Sequence, residues 1–558
     1  MVFISVFVAL KAFWLPLGQF PYTHDGQNHL ARFANYKIAL REGQIPPRFA
    51  PNLMNHYGYP VFNYNYPLAN ILSLPASVIG LSYELSFKLI VFVFLVFGGS
   101  GVLFWLKQLG EKKLLFWQKL LLLATYFFNP YLINLAYYRG SIGEIMVYGL
   151  VPWIFYLIDR VKQKKSFTKL TWLFFILVLA SFLLAHNVSV LIGGFIFGAY
   201  ALFAWRKSFW RNLGSFIWRF ILPSLGLSLW FWLPALAEMN QVVVATTNLQ
   251  NEYLSHLVFL GELIYSPLKF GYSYPGQINS LSFWVGFLTL LSLMMFLALV
   301  FKWLWQRLVN KKKIYLPTWF FFFGSGASLL TWLMTWQSQP VWYFLSFFRF
   351  IQFPWRLGLW LVFFILPLVL YFSQRAKLGF KLILFLIILG QAVIVYQAKP
   401  LEYFRFDNLK YELWGESTST LNENMPVGFK YLLIGDWQPS AKVLTNKGEI
   451  KVLSWTGSSR HYQLQLDQDS LIVEPTMNFL GWQTQVRPLN QTDKWQKVSY
   501  TNNDQVQGRI AYELSAGSWE VKTSFTQRTW ARLVGNLVFL FSLVFILLYL
   551  IKPTRTKP

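Results

Sequence analysis

Apolar runs separated by short clusters of Lys and Arg recur along almost the whole chain. Each run is near the roughly 20 residues that a helix rising 1.5 Å per residue needs to cross a hydrocarbon core about 30 Å thick. Read this way, the sequence predicts spans at 2–20, 84–106, 114–130, 145–159, 170–185, 188–205, 217–236, 282–301, 316–336, 357–373, 380–397 and 531–551, about twelve helices. Charged residues make up only 13% of the 558 positions. Soluble globular domains carry roughly 25%, so a soluble enzyme is excluded. The formal net charge of +26 is no sign of nucleic acid as a partner, because the bases flank apolar runs, where cytoplasmic retention and anionic headgroups account for them. The chain has no cysteine, which excludes thiol catalysis, iron–sulfur ligation and disulfide stapling. Residues 2–18 lack a small-residue cleavage site and read as a retained first span.

The stretch 66–82 is also apolar, but Pro67 and Pro75 interrupt it. If it spanned, the basic loops around Lys107/Lys112/Lys113, Arg160/Lys162/Lys164/Lys165/Lys169 and Lys302/Arg307/Lys311/Lys312/Lys313 would all fall outside. Lying in the interface, it leaves them inside, with Arg206, Lys207, Arg211 and Arg219, then Arg375, Lys377 and Lys381, and the tail bases Lys552, Arg555 and Lys557. The short outer connections then hold little beyond Arg139, Arg349 and Arg356. Between 398 and 529 the pattern changes to alternating runs such as HYQLQL (461–466) and RIAYEL (509–514), which predict a β-sandwich-like domain. The expected fold is an all-α polytopic membrane protein with an extracytoplasmic β-domain before its last helix. Its parts are a transmembrane domain, 1–397, with a first outer loop at 21–83; a β-rich domain, 398–529; and a final helix with a basic cytoplasmic tail, 530–558.

With this topology the unusual polar residues fall on the outer side. FPYTHDGQNHL (20–30) places His24, Asp25, Asn28 and His29 just beyond the first span. A carboxylate held there, dry enough to raise its proton affinity, is a candidate general base; the bland alternative is a solvated loop acid. YYRGSIGEIMVYG (137–149) puts Arg139 and Glu144 at the outer start of the fourth span, where Glu144 caps the helix, binds sugar hydroxyls or supports Asp25. LLAHNVSV (183–190) adds His186 and Asn187. RFIQFPWRLGLW (349–360) breaks at Pro354 and sets Arg356 at the hydrocarbon edge, where the guanidinium either snorkels or meets an anion; its fork suits a phosphate. Phe353 and Trp355 read as interfacial belt rather than sugar platform. His24, His29, His186 and Glu144 are metal-ligand types, but no two stand at a recognised motif spacing, so no cofactor is expected and a divalent metal is the disfavoured alternative.

The ordered set His24-Asp25, His29, Gly43-Gln44-Ile45-Pro46-Pro47-Arg48, Gly58-Tyr59-Pro60, Tyr66-Pro67, Arg139-Gly140, Glu144 and Gln352-Phe353-Pro354-Trp355-Arg356 resembles a bacterial polytopic membrane family labelled as related to 6-pyruvoyl-tetrahydropterin synthase. More distantly it resembles YfhO-like proteins and glycosyltransferases of the GT-C superfamily. The similarity runs from about residue 15 to the final span, including Phe479-Leu480-Gly481-Trp482 and Ser515-Ala516-Gly517. The resemblance implies a GT-C-like fold in the bacterial plasma membrane, with the active site facing outside. It implies transfer of a sugar from a polyprenyl-phosphate donor to a cell-surface glycan or teichoic-type polymer, with Asp25 as base and Arg356 on the lipid phosphate. His24, His29, Arg139, Glu144 and His186 are the further substrate-binding candidates. Many GT-C enzymes carry two acids in the first loop; here the next acid after Asp25 is Glu42. Rival readings are a flippase of lipid-linked glycans, which calls for ionisable groups deep in the spans where this sequence shows only Lys11, and a non-catalytic cell-wall assembly partner.

Overall fold

Among the described residues, eight helices are long and apolar enough to cross a membrane: Tyr83–Leu109, Ile142–Lys162, Asn187–Trp205, Phe209–Ala237, Phe287–Leu308, Pro354–Arg375, Leu378–Gln397 and Trp530–Ile551. The chain is a multi-pass membrane protein, mostly helical, whose described residues also form a five-stranded and a three-stranded β-sheet packed face to face and a short pairing of Phe20–Pro21 with Tyr403–Phe404. The computed structural model describes all residues except 111–112, 164–166, 246–251, 310–314, 345–350, 420, 431–436, 490–493 and 553–558. The topology bases Lys112, Lys164, Lys165, Lys311, Lys312, Lys313, Arg349, Arg555 and Lys557 lie outside the described residues.

The expected count of about twelve spans is not reached, for local reasons. The first apolar run is two short helices, Val2–Ala9 and Lys11–Trp14, broken at Leu10, whose φ of -114° and ψ of 35° are not helical, and the second ends where Leu15, which precedes Pro16, is driven to an extended conformation. Lys11 is exposed and donates to the Tyr396 hydroxyl at 2.9 Å. Buried charges within helices include Lys88, held by the carbonyls of Trp14 and Pro16, and Asp159, which accepts from the Tyr200 hydroxyl at 2.9 Å. Lys169–Ala185 has 17 residues and Thr318–Leu333 has 16, or about 24–26 Å of rise. The run predicted at 114–130 continues into a bent pair, Phe116–Phe127 and Pro130–Arg139, with a 46° break. Pro130 cannot donate back to the preceding turn, while the Asn129 side chain accepts from the Tyr131 amide and starts a new helix. Leu68–Val78, inside the 66–82 stretch, has 11 residues and rises about 16 Å, too short to span.

The chain forms two compact units. The first comprises Met1–Gln27, Glu84–Ser224 and Asn248–Arg405. Its central helices are Ile142–Lys162 and Pro354–Arg375, whose apolar windows are 89% and 94% buried. They therefore pack against protein rather than lipid, and each carries a candidate site residue near its first turn.

The second unit comprises Asn28–Tyr83, Leu225–Thr247 and Phe406–Pro558. Much of what reads as a long loop at 21–83 is helical, with Gly26–Arg41 its longest piece. Five antiparallel strands in the order Gly448–Trp455, Ser459–Leu466, Gly517–Phe525, Trp482–Pro488 and Gln496–Lys497 form one sheet. Lys442–Val443, Ser470–Met477 and Arg509–Leu514 form the other. Tyr462, Leu464 and Leu466 alternate inward from the first sheet to meet Ile472, Tyr512 and Leu514 of the second. Arg532 closes this unit from the final helix, donating to Glu238 at 2.8 Å.

Candidate functional site

Four of the residues picked out from the sequence meet within the first unit. Glu144 is buried in the first turn of Ile142–Lys162, and its Oε1 lies 2.7 Å from Arg139 Nη2 and 3.3 Å from Arg356 Nε. The Tyr131 hydroxyl donates to Oε2 at 2.8 Å. His186 stands between two helices, and its Nδ1 accepts from the Ser189 amide at 3.2 Å. The ring proton of the neutral imidazole therefore sits on Nε2, which faces Glu144 Oε1 at 4.0 Å. Glu144 is thus more than a helix cap: it is the common anion of two buried guanidiniums. Two guanidiniums share this one buried carboxylate, and Arg139 Nη1 has no hydrogen-bond partner among the described residues.

Local backbone chemistry sets up this convergence. Asn134–Arg139 winds as a π-helical turn, a form that recurs at functional sites. It ends at Gly140 in the left-handed region, with φ of 63°. The freed carbonyls of Tyr138 and Arg139 accept the amides of His24 and Asp25 at 3.0 and 2.8 Å. A Cβ on Gly140 would meet the Gly26 amide nitrogen at 2.7 Å and Thr23 Oγ1 at 2.4 Å. Only glycine allows the two turns to come this close, and their contact brings Asp25 beside the arginines. Asp25 is half-buried and lies within electrostatic reach of both Arg139 and Arg356. His24 is exposed, its ring edge-on to Phe270 at 4.9 Å. Partial desolvation lowers its pKa, Asp25 opposes that shift, and Arg139 reinforces it.

His29 is the exception among the sequence-predicted residues. It belongs to the second unit, where it is buried with its Nε2 3.3 Å from the Tyr66 hydroxyl. The aromatic residues near Arg356 also differ from expectation. Trp355 is buried rather than part of an interfacial belt, stacks on Phe353 at 5.1 Å and carries the Arg139 guanidinium over its ring at 4.8 Å. Phe353 carries Arg356 at 4.5 Å. Tyr131 and His256 were not singled out by the sequence. Tyr131 is one aromatic among many, whereas His256 is one of only six histidines, a rarity that could have marked it. Among the described residues no three His, Asp or Glu side chains come together as a cation site.

Alongside the cluster runs an apolar groove of about 750 Å³ between Asn187–Trp205, Thr318–Leu333 and Leu357–Arg375. Phe195, Phe203, Phe322 and Leu329 are among its walls. Leu357, next to Arg356 in sequence, and Ile351, whose carbonyl accepts from Arg356 Nη1 at 3.1 Å, line one end, and Arg206 and Thr318 line the other.

No family model matches the chain, and no curated protein sequence matches it. Among solved structures, a mutant of the mycobacterial arabinofuranosyltransferase AftD, determined by single-particle cryo-electron microscopy, is similar with a TM-score of 0.38 and 14% identity. The match covers 72% of this chain and 28% of that one.

Proposed function

We propose that this chain is a membrane glycosyltransferase of GT-C type in the bacterial plasma membrane. It transfers a sugar from a polyprenyl-phosphate donor to a cell-surface glycan or teichoic-type polymer on the outer face. The observation that carries this reading is a buried pair of arginines, one of which, Arg356, donates to the carbonyl of Ile351 at 3.1 Å, where Ile351 lines one end of the apolar groove. A ligand that suits both features has a long hydrocarbon tail and an anionic head. With the tail in the groove, the phosphate lies at Arg356 and the sugar beyond it, toward Asp25. As the bond from the sugar's anomeric carbon to the phosphate oxygen breaks, the acceptor oxygen bonds to that carbon and gives its proton to the Asp25 carboxylate. The departing phosphate keeps the bond's electron pair, and Arg356 and Arg139 stabilise its charge. His24 and His186 border this space as substrate-binding candidates.

Arg356→Lys is the direct test of the phosphate contact. Lys keeps the charge but loses the planar fork, so donor affinity should fall by about tenfold, the cost of roughly one charge-assisted hydrogen bond. Expression should be unchanged. Equal apparent affinity for a polyprenyl-phosphate sugar in wild type and Arg356→Lys would remove the phosphate role.

Sidedness is tested separately, using the absence of natural cysteines. In intact cells an impermeant thiol reagent should label Ser454→Cys, exposed on the β-domain, and spare Lys207→Cys until the cells are opened. The reverse pattern would place the site on the cytoplasmic side.

A further inference from the structure

His256 lies just outside the cluster and takes no part in the chemistry above. It ends the short helix Glu252–His256 and is 1% exposed. Its Nδ1 is 2.9 Å from the Ser273 carbonyl oxygen, which also accepts from Trp355 Nε1 at 3.2 Å. A carbonyl only accepts, so Nδ1 carries the proton and Nε2 presents a bare lone pair. Nε2 is buried and has no hydrogen-bond partner among the described residues. Native proteins rarely leave such a group unpaired, because its lost hydration is not repaid. Burial lowers the pKa of this imidazole, the Ser273 carbonyl opposes the shift, and Arg356 reinforces it, so the ring stays an acceptor at neutral pH.

The ring cannot easily turn to find a partner. It stacks on Tyr274 at 4.4 Å and meets Phe353 edge-on at 4.5 Å. Phe353 in turn carries the Arg356 guanidinium. The orphan acceptor is therefore one aromatic ring away from the proposed phosphate contact, about the span of a sugar. Tyr274 is 36% exposed and stacks on one face of the imidazole, leaving the Nε2 edge to point elsewhere.

We propose that His256 Nε2 accepts a hydrogen bond from a hydroxyl of the donor's sugar, with the exposed Tyr274 beside it as the platform against which the sugar packs. This makes His256 a specificity-determining residue that tells a glycosylated lipid phosphate from a bare one. The inference rests on the lipid-linked donor reading above.

The experiment measures equilibrium binding to the full chain in nanodiscs. One probe is the lipid-linked sugar fraction extracted from the cells that make the protein, labelled in the sugar. The other is the polyprenyl phosphate released from that fraction by mild acid. Wild type should prefer the glycosylated lipid by about tenfold, as expected for one well-placed buried hydrogen bond. His256→Phe keeps the ring packing but has no acceptor, and should lose that preference while binding the bare lipid normally. His256→Gln, whose amide oxygen can reach the same place, should retain part of it. If His256→Phe keeps the preference, the orphan is filled by water and the subsite is wrong. Equal weakening of both lipids in His256→Phe would assign the residue to packing instead. A wild type that binds both lipids equally overturns the subsite alone, whereas one that binds neither overturns the donor reading with it.

Discussion

Asp25→Asn should lower sugar transfer by about 10²–10⁴-fold, the usual contribution of a positioned general base, while donor binding stays near normal. Asparagine keeps the size of the side chain and much of its hydrogen bonding but cannot take the acceptor's proton. The backbone amide of residue 25 stays bonded to the Arg139 carbonyl, so the turn should survive the change. The measurement is transfer in membranes supplied with polyprenyl-phosphate sugar, with donor binding followed on the same variant. Transfer close to wild type would eliminate Asp25 as the base. Glu144 is a poor substitute, since its carboxylate is already engaged by Arg139, Arg356 and Tyr131. Loss of donor binding together with transfer would give Asp25 a structural or metal-holding role.

Glu144→Gln should have the largest effect on stability. Removing the charge leaves two guanidiniums facing one another in a buried site, and breaking a buried ion pair in this way typically costs about 3–5 kcal/mol. Thermal inactivation of the purified protein should shift to clearly lower temperature. Arg139→Gln combined with Glu144→Gln should recover part of the loss, because the surviving arginine then has no like charge beside it. A base at this position would behave differently, losing turnover while the protein remained stable. A Glu144→Gln protein with unchanged stability and reduced turnover would therefore reverse the assignments of Glu144 and Asp25.

The sequence reads well where structure follows from local periodicity. Alternation in Ser459–Leu466 places Tyr462, Leu464 and Leu466 inward, and apolar length alone marks most of the spanning helices. Arg139, Glu144, His186 and Arg356 are visible because few charges and imidazoles fall in the short connections that the basic-loop pattern assigns to the outer side. Their meeting is not visible, since it depends on the packing of helices far apart in sequence and on the left-handed Gly140. The aromatic shell is hidden for the opposite reason: with 20% aromatic residues, Tyr131 and Trp355 carry no distinguishing signal. Helix bounds are less legible where turn chemistry overrides hydropathy, as at Leu15-Pro16 and Asn129-Pro130. His29 shows that closeness to Asp25 in sequence does not predict a shared environment, because Gly26–Arg41 carries it into the other compact unit.

The groove between Asn187–Trp205, Thr318–Leu333 and Leu357–Arg375 also bears on how the protein meets its substrate. A ligand whose tail never leaves the hydrocarbon reaches such a site by sliding sideways within the leaflet. Its relevant concentration is then a number per unit area, unrelated to the volume of the surrounding medium. Diluting the cells would leave the encounter rate unchanged, whereas diluting the donor with inert lipid would slow it in proportion.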